Sequence, residues 1–312
     1  MNNKIYLMAA ILAFASVGAL LTQPTLASAQ SSMIENILDS ALPTNNNSSN
    51  NDNDNDDDNE GDPTTTTTPI SGTADSASNT ADAAEAAAPI STSLSCGQVI
   101  SESVKLSANL ECSTDGVIAG ADGITIDLNG FTISGPGGES SKVGIMLANN
   151  DNVQVTGGTV KNFQAGILNT GGSDNEVSKV TLTGNQIAIF NTGAINTNIE
   201  TNNMFSNSIG VASHSSSGTT MHQNMLTDNQ LAGVTLVNSA ENVLDFNTIT
   251  GSVNGVFLDG QSTENNVNTN TIVQNSGVDI NNGNGLPTNI NENGFTDNLC
   301  HTSVPDGLCI GR

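Results

Sequence analysis

Tryptophan is absent, tyrosine occurs once, and only eight phenylalanines are spread over 312 residues. An aromatic side chain that faces outward is therefore scarce and stands out where it occurs. Basic residues are also few: six Lys and Arg stand against 31 Asp and Glu, a formal net charge of −25 at pH 7. Phosphate groups need Lys and Arg to neutralise them, so this balance argues against DNA, RNA and anionic membrane as partners. It also disfavours polyanionic polysaccharides unless metal ions bridge. The deficit is not confined to one acidic run, because from Ser95 onward 19 acids still face 5 bases. Neutral glycans and cation-bearing surfaces stay open. The four cysteines contain no Cys-x-x-Cys pair, which argues against a thiolate metal site.

What the chain has instead is a period. A glycine followed by an aliphatic residue recurs at Gly144-Ile145, Gly166-Ile167, Gly210-Val211, Gly233-Val234, Gly255-Val256 and Gly277-Val278, and Ala188-Ile189 fills the missing slot. Such spacing, about 22 residues, marks a solenoid. A second apolar column runs through Ile133, Val160, Leu182, Phe205, Leu226, Ile249, Ile272 and Phe295. A third runs through Val153, Val177, Ile199, Met221, Val243, Val267 and Ile290. Alternation such as Ile124-Thr125-Ile126-Asp127-Leu128, with turn residues between segments, is a strand signal. Three short strands per repeat, stacked coil on coil about 4.8 Å apart, make an all-β parallel β-helix. Right-handedness follows from the crossover rule.

Asparagine repeats in the same register. Asn162, Asn185, Asn207, Asn229, Asn275 and Asn298 recur at one turn, with Ser252 in the open slot. Asn152, Asn175, Asn198, Asn242 and Asn289 recur at another. Asn tolerates a left-handed turn, and its amide can donate to one coil while accepting from the next.

These repeats resemble those of the pectate-lyase-like superfamily, and more narrowly the carbohydrate-binding and sugar-hydrolase (CASH) and NosD-type β-helix proteins. The resemblance covers about residues 95–312, opening with Cys96-Gly97-Gln98-Val99-Ile100, Leu110-Glu111-Cys112 and Gly123-Ile124-Thr125-Ile126-Asp127-Leu128-Asn129-Gly130. It implies a right-handed parallel β-helix of about eight coils. That fold hosts lyases, hydrolases, epimerases, adhesins and binding modules, so function must come from a site.

Three regions are expected. Residues 1–29 read as a signal peptide: Lys4, an uncharged apolar run from Ile5 to Leu21, and Ala27-Ser28-Ala29 before a cut at Gln30. The alternative is a retained anchor; after cleavage no membrane span is expected. Residues 30–92 form a low-complexity Asn/Asp/Thr/Ala-rich tether, expected to be disordered. Within it, residues 31–42 can form a short amphipathic helix through Met33, Ile34, Ile37 and Leu38. Asp52, Asp54, Asp56, Asp58 and Glu60 invite calcium, but Asp57 and Pro63 stand where an EF-hand loop needs glycine and glutamate. A solvated acidic linker is the plainer reading, and no cofactor is expected. Asn46 and Asn47 begin glycosylation sequons. Residues 93–312 are the β-helix domain. Because a solenoid holds its ends apart, Cys96 is expected to pair with Cys112 and Cys300 with Cys309.

The catalytic motifs of the resembling enzymes are missing. The only arginine is Arg312, and the solenoid has no Asp-Asp, Gly-His-Gly or Arg-Ile-Lys. Asn268-Thr269-Asn270 has Asn where an acid would be, and the Asp-Pro-His-Asp of alginate epimerases is absent. The remaining catalytic candidates are generic: His222 and Asp245 on adjacent coils, where a carboxylate can orient an imidazole base, and Asp259, two coils from His214. The NosD resemblance implies copper, but His214, His222 and His301 are dispersed and make no soft-ligand cluster.

The candidate binding residues are apolar. If Ile145, Ile167 and Ile189 point inward, their neighbours Met146, Leu168, Phe190, Ala212, Thr235, Phe257 and Asp279 point out. Met146, Leu168, Phe190 and Phe257 would then form a platform for a sugar face or a partner, unless the tether or residues 31–42 fold back over it. The expectation is a monomeric secreted or cell-surface protein that binds an extracellular glycan or surface polymer without turnover. A carbohydrate-active enzyme (polysaccharide lyase, glycoside hydrolase or epimerase) and a structural adhesin or coat component are the alternatives.

Overall fold

The computed structural model describes residues 90–287 and 289–310, and all regular elements among them are β-strands. The expected signal, the amphipathic segment 31–42, the acidic run, the sequons and Arg312 lie outside the described residues. The strands form two parallel sheets: one of ten strands, from Gln98–Ile100 to Ser303–Val304, and one of sixteen. Ten strands in one file correspond to about nine turns, rather than about eight coils.

Register shows why the period is obligatory. In the ten-stranded sheet Ile145, Ile167, Ile189, Val211, Val234, Val256 and Ile280 pair in a single inward column. Two further inward columns run along the other sheet. One is Ile133, Val160, Leu182, Met204, Leu226, Ile249 and Ile272. The other is Ile126, Val155, Val177, Ile199, Met221, Leu244, Val267 and Phe295. All but the half-buried Phe295 lie in the buried lumen. The sequence pattern placed Phe205, Val243 and Val153 where Met204, Leu244 and Val155 stand. Phe295 closes the column that starts at Ile126, not the one expected, and Ile290 is exposed. Val278 pairs with Asn254, so the glycine slot of that coil holds Asp279 and the outer column continues to Asn281. Two extra residues in this coil cause the shift.

The glycine column has a steric cause. A Cβ on Gly210 would lie 2.5 Å from the carbonyl oxygen of Gly233, and one on Gly166 2.7 Å from that of Ala188. Backbone approaches backbone there, which is a common reason for glycine in a strand.

Asparagine ladders stitch the turns together, three of them among the described residues. Asn185 donates to Asn207 Oδ1 and Asn207 to Asn229 Oδ1 through both backbone and side-chain amides. The same pattern links Asn202, Asn224, Asn247, Asn270 and Asn298. A third joins Asn242, Asn265 and Asn293. Asn162 and Asn152 stand beside the ladders at left-handed corners, and Asn298 belongs to the second ladder rather than the first. The disulfides Cys96–Cys112 and Cys300–Cys309 staple the two ends, as expected.

Candidate functional site

Six successive coils of the larger sheet turn a corner at a non-glycine residue with positive φ: Lys179, Thr201, Gln223, Phe246, Thr269 and Asp297. From Thr201 onward the next residue is a buried ladder Asn. A left-handed backbone is uncommon for a bulky residue. At Phe246 the ladder bonds of Asn247 hold that conformation and turn the ring outward, 55% exposed.

Beside this corner runs an outward column of polar residues: Asp127, Thr156, Ser178, Glu200, His222, Asp245, Asn268 and Thr296. Cross-strand register makes His222 and Asp245 direct neighbours, and His222 Nδ1 lies 2.8 Å from Asp245 Oδ1. The Phe246 ring meets the imidazole edge-on, with centroids 5.5 Å apart. Thus His222 is held by a carboxylate on one side and an aromatic ring on the other, and Glu200 occupies the rung below. At the N-terminal end of the column Lys105 pairs with Asp127 at 3.0 Å.

The sequence brought His222 and Asp245 together, and the structure does too. It missed Phe246 and Glu200. The available signal was a phenylalanine in a corner column otherwise filled by Lys, Thr, Gln and Asp. Asp259 is elsewhere and buried: it accepts from Ser262 Oγ at 2.6 Å and from the backbone amides of Asn238 and Gln261. All three bonds end on Oδ1, so that oxygen caps a turn. His301 lines an open cleft of about 310 Å³ at the C-terminal end with Ser303, Asp306, Gly307 and Cys309.

The apolar stripe is corrected in one respect. Leu168, Phe190 and Phe257 do share an outer column of the ten-stranded sheet, with Met146 and Ala212. They are not an open platform: Leu168 and Phe190 are 0% and Phe257 1% exposed, and Met146 is half-buried. Alternation assigns a side chain to a face but does not say what lies over that face.

Among the described residues no group of three or more His, Cys, Asp and Glu is placed to hold a metal ion. All four cysteines are closed in disulfides.

No curated protein matches the chain. The A-module of Azotobacter vinelandii mannuronan C-5 epimerase AlgE6 is a similar solved structure, at 14% identity over 71% of this chain and 81% of its own, with a TM-score of 0.32. The model of the family described as periplasmic copper-binding protein (NosD) matches residues 122–306. That match takes in more than half of the 312 residues and much of the coil stack, and on it the chain belongs to the NosD family.

Proposed function

We propose that the protein is exported and acts at the cell surface or in the periplasm, binding a neutral carbohydrate chain along the outer face of the sixteen-stranded sheet without turning it over. The observation that carries this reading is Phe246: an exposed ring held against His222, next to a column of Glu, His, Asp, Asn and Thr. Sugar rings pair an apolar face with a rim of hydroxyls. A flat aromatic surface bordered by alternating donors and acceptors answers both. The periplasmic description of the NosD family and the signal-like residues 1–29 support export. The acidic balance favours an uncharged chain over a polyanionic one.

Copper appears in the family's description. The described donors do not fit it: His214 and His222 stand on different sheets, His301 lies near the C-terminal end, and no thiolate is free.

Turnover is the second reading, and the His222–Asp245 bond is what favours it, since a carboxylate that orients an imidazole makes a general base. Titration of the full-length chain with neutral oligosaccharides, with assay of new reducing and unsaturated ends, tests both. Saturable binding that Phe246→Ala weakens by about tenfold or more, roughly 1.4 kcal/mol, supports the proposal. New ends that disappear in His222→Ala replace it with the enzyme reading. Binding indifferent to Phe246→Ala overturns the placement of the site.

A further inference from the structure

The outer face of the ten-stranded sheet carries a second apolar cluster, separate from the lumen and centred on Leu168, Ile187, Phe190, Ile209 and Phe257. Every member belongs to this sheet or, for Leu231, to the turn leading into it. The cluster is thus one layer thick, yet its central residues are 0–1% exposed. A single layer cannot bury its own outer face, and no described residue from outside the sheet joins the cluster.

The polar atoms on this face point to the chemistry of what covers it. Thr235 Oγ1, Asn254 Oδ1 and Asn281 Oδ1 are buried without a hydrogen-bond partner among the described residues. Thr235 and Asn281 stand in the Phe257 column, and Asn254 in the column of Ile187 and Ile209. So the face is apolar from Leu168 to Ala212 and offers orphaned acceptors at the end nearer the C-terminus. Its cover needs an apolar stripe with donors at one end. A helix start has this character, because its first four N–H groups lack partners within the helix.

We propose that residues 31–42 of the same chain dock on this face as a short helix, with Ser32 at the Asn254–Asn281 end and Leu42 at the Met146 end. Met33, Ile34, Ile37, Leu38, Ala41 and Leu42 fall on one side of a 3.6-residue period. Ser32 with Glu35 three residues on forms a capping-box start. Twelve residues of helix span about 18 Å, and the four rungs from Leu168 to Phe257 span about 19 Å. Too short to be stable alone, such a helix gains its stability from the apolar face it covers.

Chain connectivity sets the same polarity. In this orientation Leu42 would lie at the end of the face closer to Ile90, where the first strand begins. Residues 43–89 join the two points. These 47 residues (89 − 42) have an end-to-end reach of about 34–41 Å as a flexible chain. The span along the stack is only a few rungs of about 4.8 Å.

Amide hydrogen exchange on the full-length chain, with Ile34→Asp/Ile37→Asp as the variant, tests this. Residues 31–42 should exchange at least about tenfold more slowly in the parent than in the variant. The variant should bind an apolar fluorescent dye several-fold more, with the lumen strands still protected. Exchange of residues 31–42 at coil rates in the parent would overturn the proposal whatever the variant does. So would slow exchange at residues 5–21 with none at 31–42, or sedimentation as a dimer that buries the face.

Discussion

His222 and Asp245 face each other across one rung, Nδ1 to Oδ1 at 2.8 Å, and the Phe246 ring that follows Asp245 in sequence stands edge-on to the same imidazole. The pair is partly exposed, with side chains 34% and 28% accessible. A surface pair so placed contributes about 0–1 kcal/mol. Asp245→Asn should therefore leave the melting temperature within a degree or two, while lowering affinity for a neutral oligosaccharide if this face is the proposed binding site. Calorimetric melts alongside titrations check this. A large melting loss would make the pair a fold element rather than a recognition element.

Three phenylalanines should respond in opposite ways to truncation. Phe190→Ala and Phe257→Ala remove fully buried rings and should each cost about 3–5 kcal/mol in denaturant unfolding. Phe246→Ala removes an exposed ring and should stay within about 0.5 kcal/mol. Equal losses at all three would show that the corner does not turn its residue outward.

Asn224 sits in the middle of a ladder. It accepts from the backbone and side-chain amides of Asn202 and donates to the Ile199 carbonyl and Asn247 Oδ1. Asn224→Ala leaves the buried Asn202 donors without acceptors, each costing about 1–3 kcal/mol. A loss of about 2–4 kcal/mol is expected, against under 0.5 kcal/mol for a substitution on the polar outer column. Urea unfolding of Asn224→Ala and Asn268→Ala makes the comparison.

Each disulfide closes a short loop, with 16 residues of separation at one end and 9 at the other. Chain entropy assigns each about 3 kcal/mol. Cys300→Ser/Cys309→Ser should speed amide exchange of the last coil before it affects the middle of the stack, because a solenoid couples only neighbouring repeats.

The columns were legible because a coil of about 22 residues puts the same demand on every repeat. Inward slots hold mostly Ile, Val, Leu or Met, and the close-approach slot holds Gly or Ala in every coil from Gly144 to Gly255, giving way to Asp279 only in the expanded coil. Where the reading slipped, two residue types were doing similar jobs at adjacent positions. Asn162 suits a left-handed corner and Asn185 suits a ladder rung, and in sequence both are an asparagine near a turn. The two-residue expansion before Ile280 displaced Val278 for a similar reason, since Gly277-Val278 imitates the repeated pair. Of the candidate site, His222 and Asp245 were readable because register is arithmetic. Phe246 was not, because its exposure depends on a corner conformation held by Asn247 and its ladder partners.

The corner column has a further meaning. At Lys179, Thr201, Gln223, Phe246, Thr269 and Asp297 the backbone sets the direction of the side chain, and from Thr201 onward the buried asparagine that follows anchors that backbone. These positions work like interchangeable teeth on a rack of constant pitch. Refitting one alters what the surface presents and leaves the spine as it was, so the outer face can be rewritten tooth by tooth on the same scaffold.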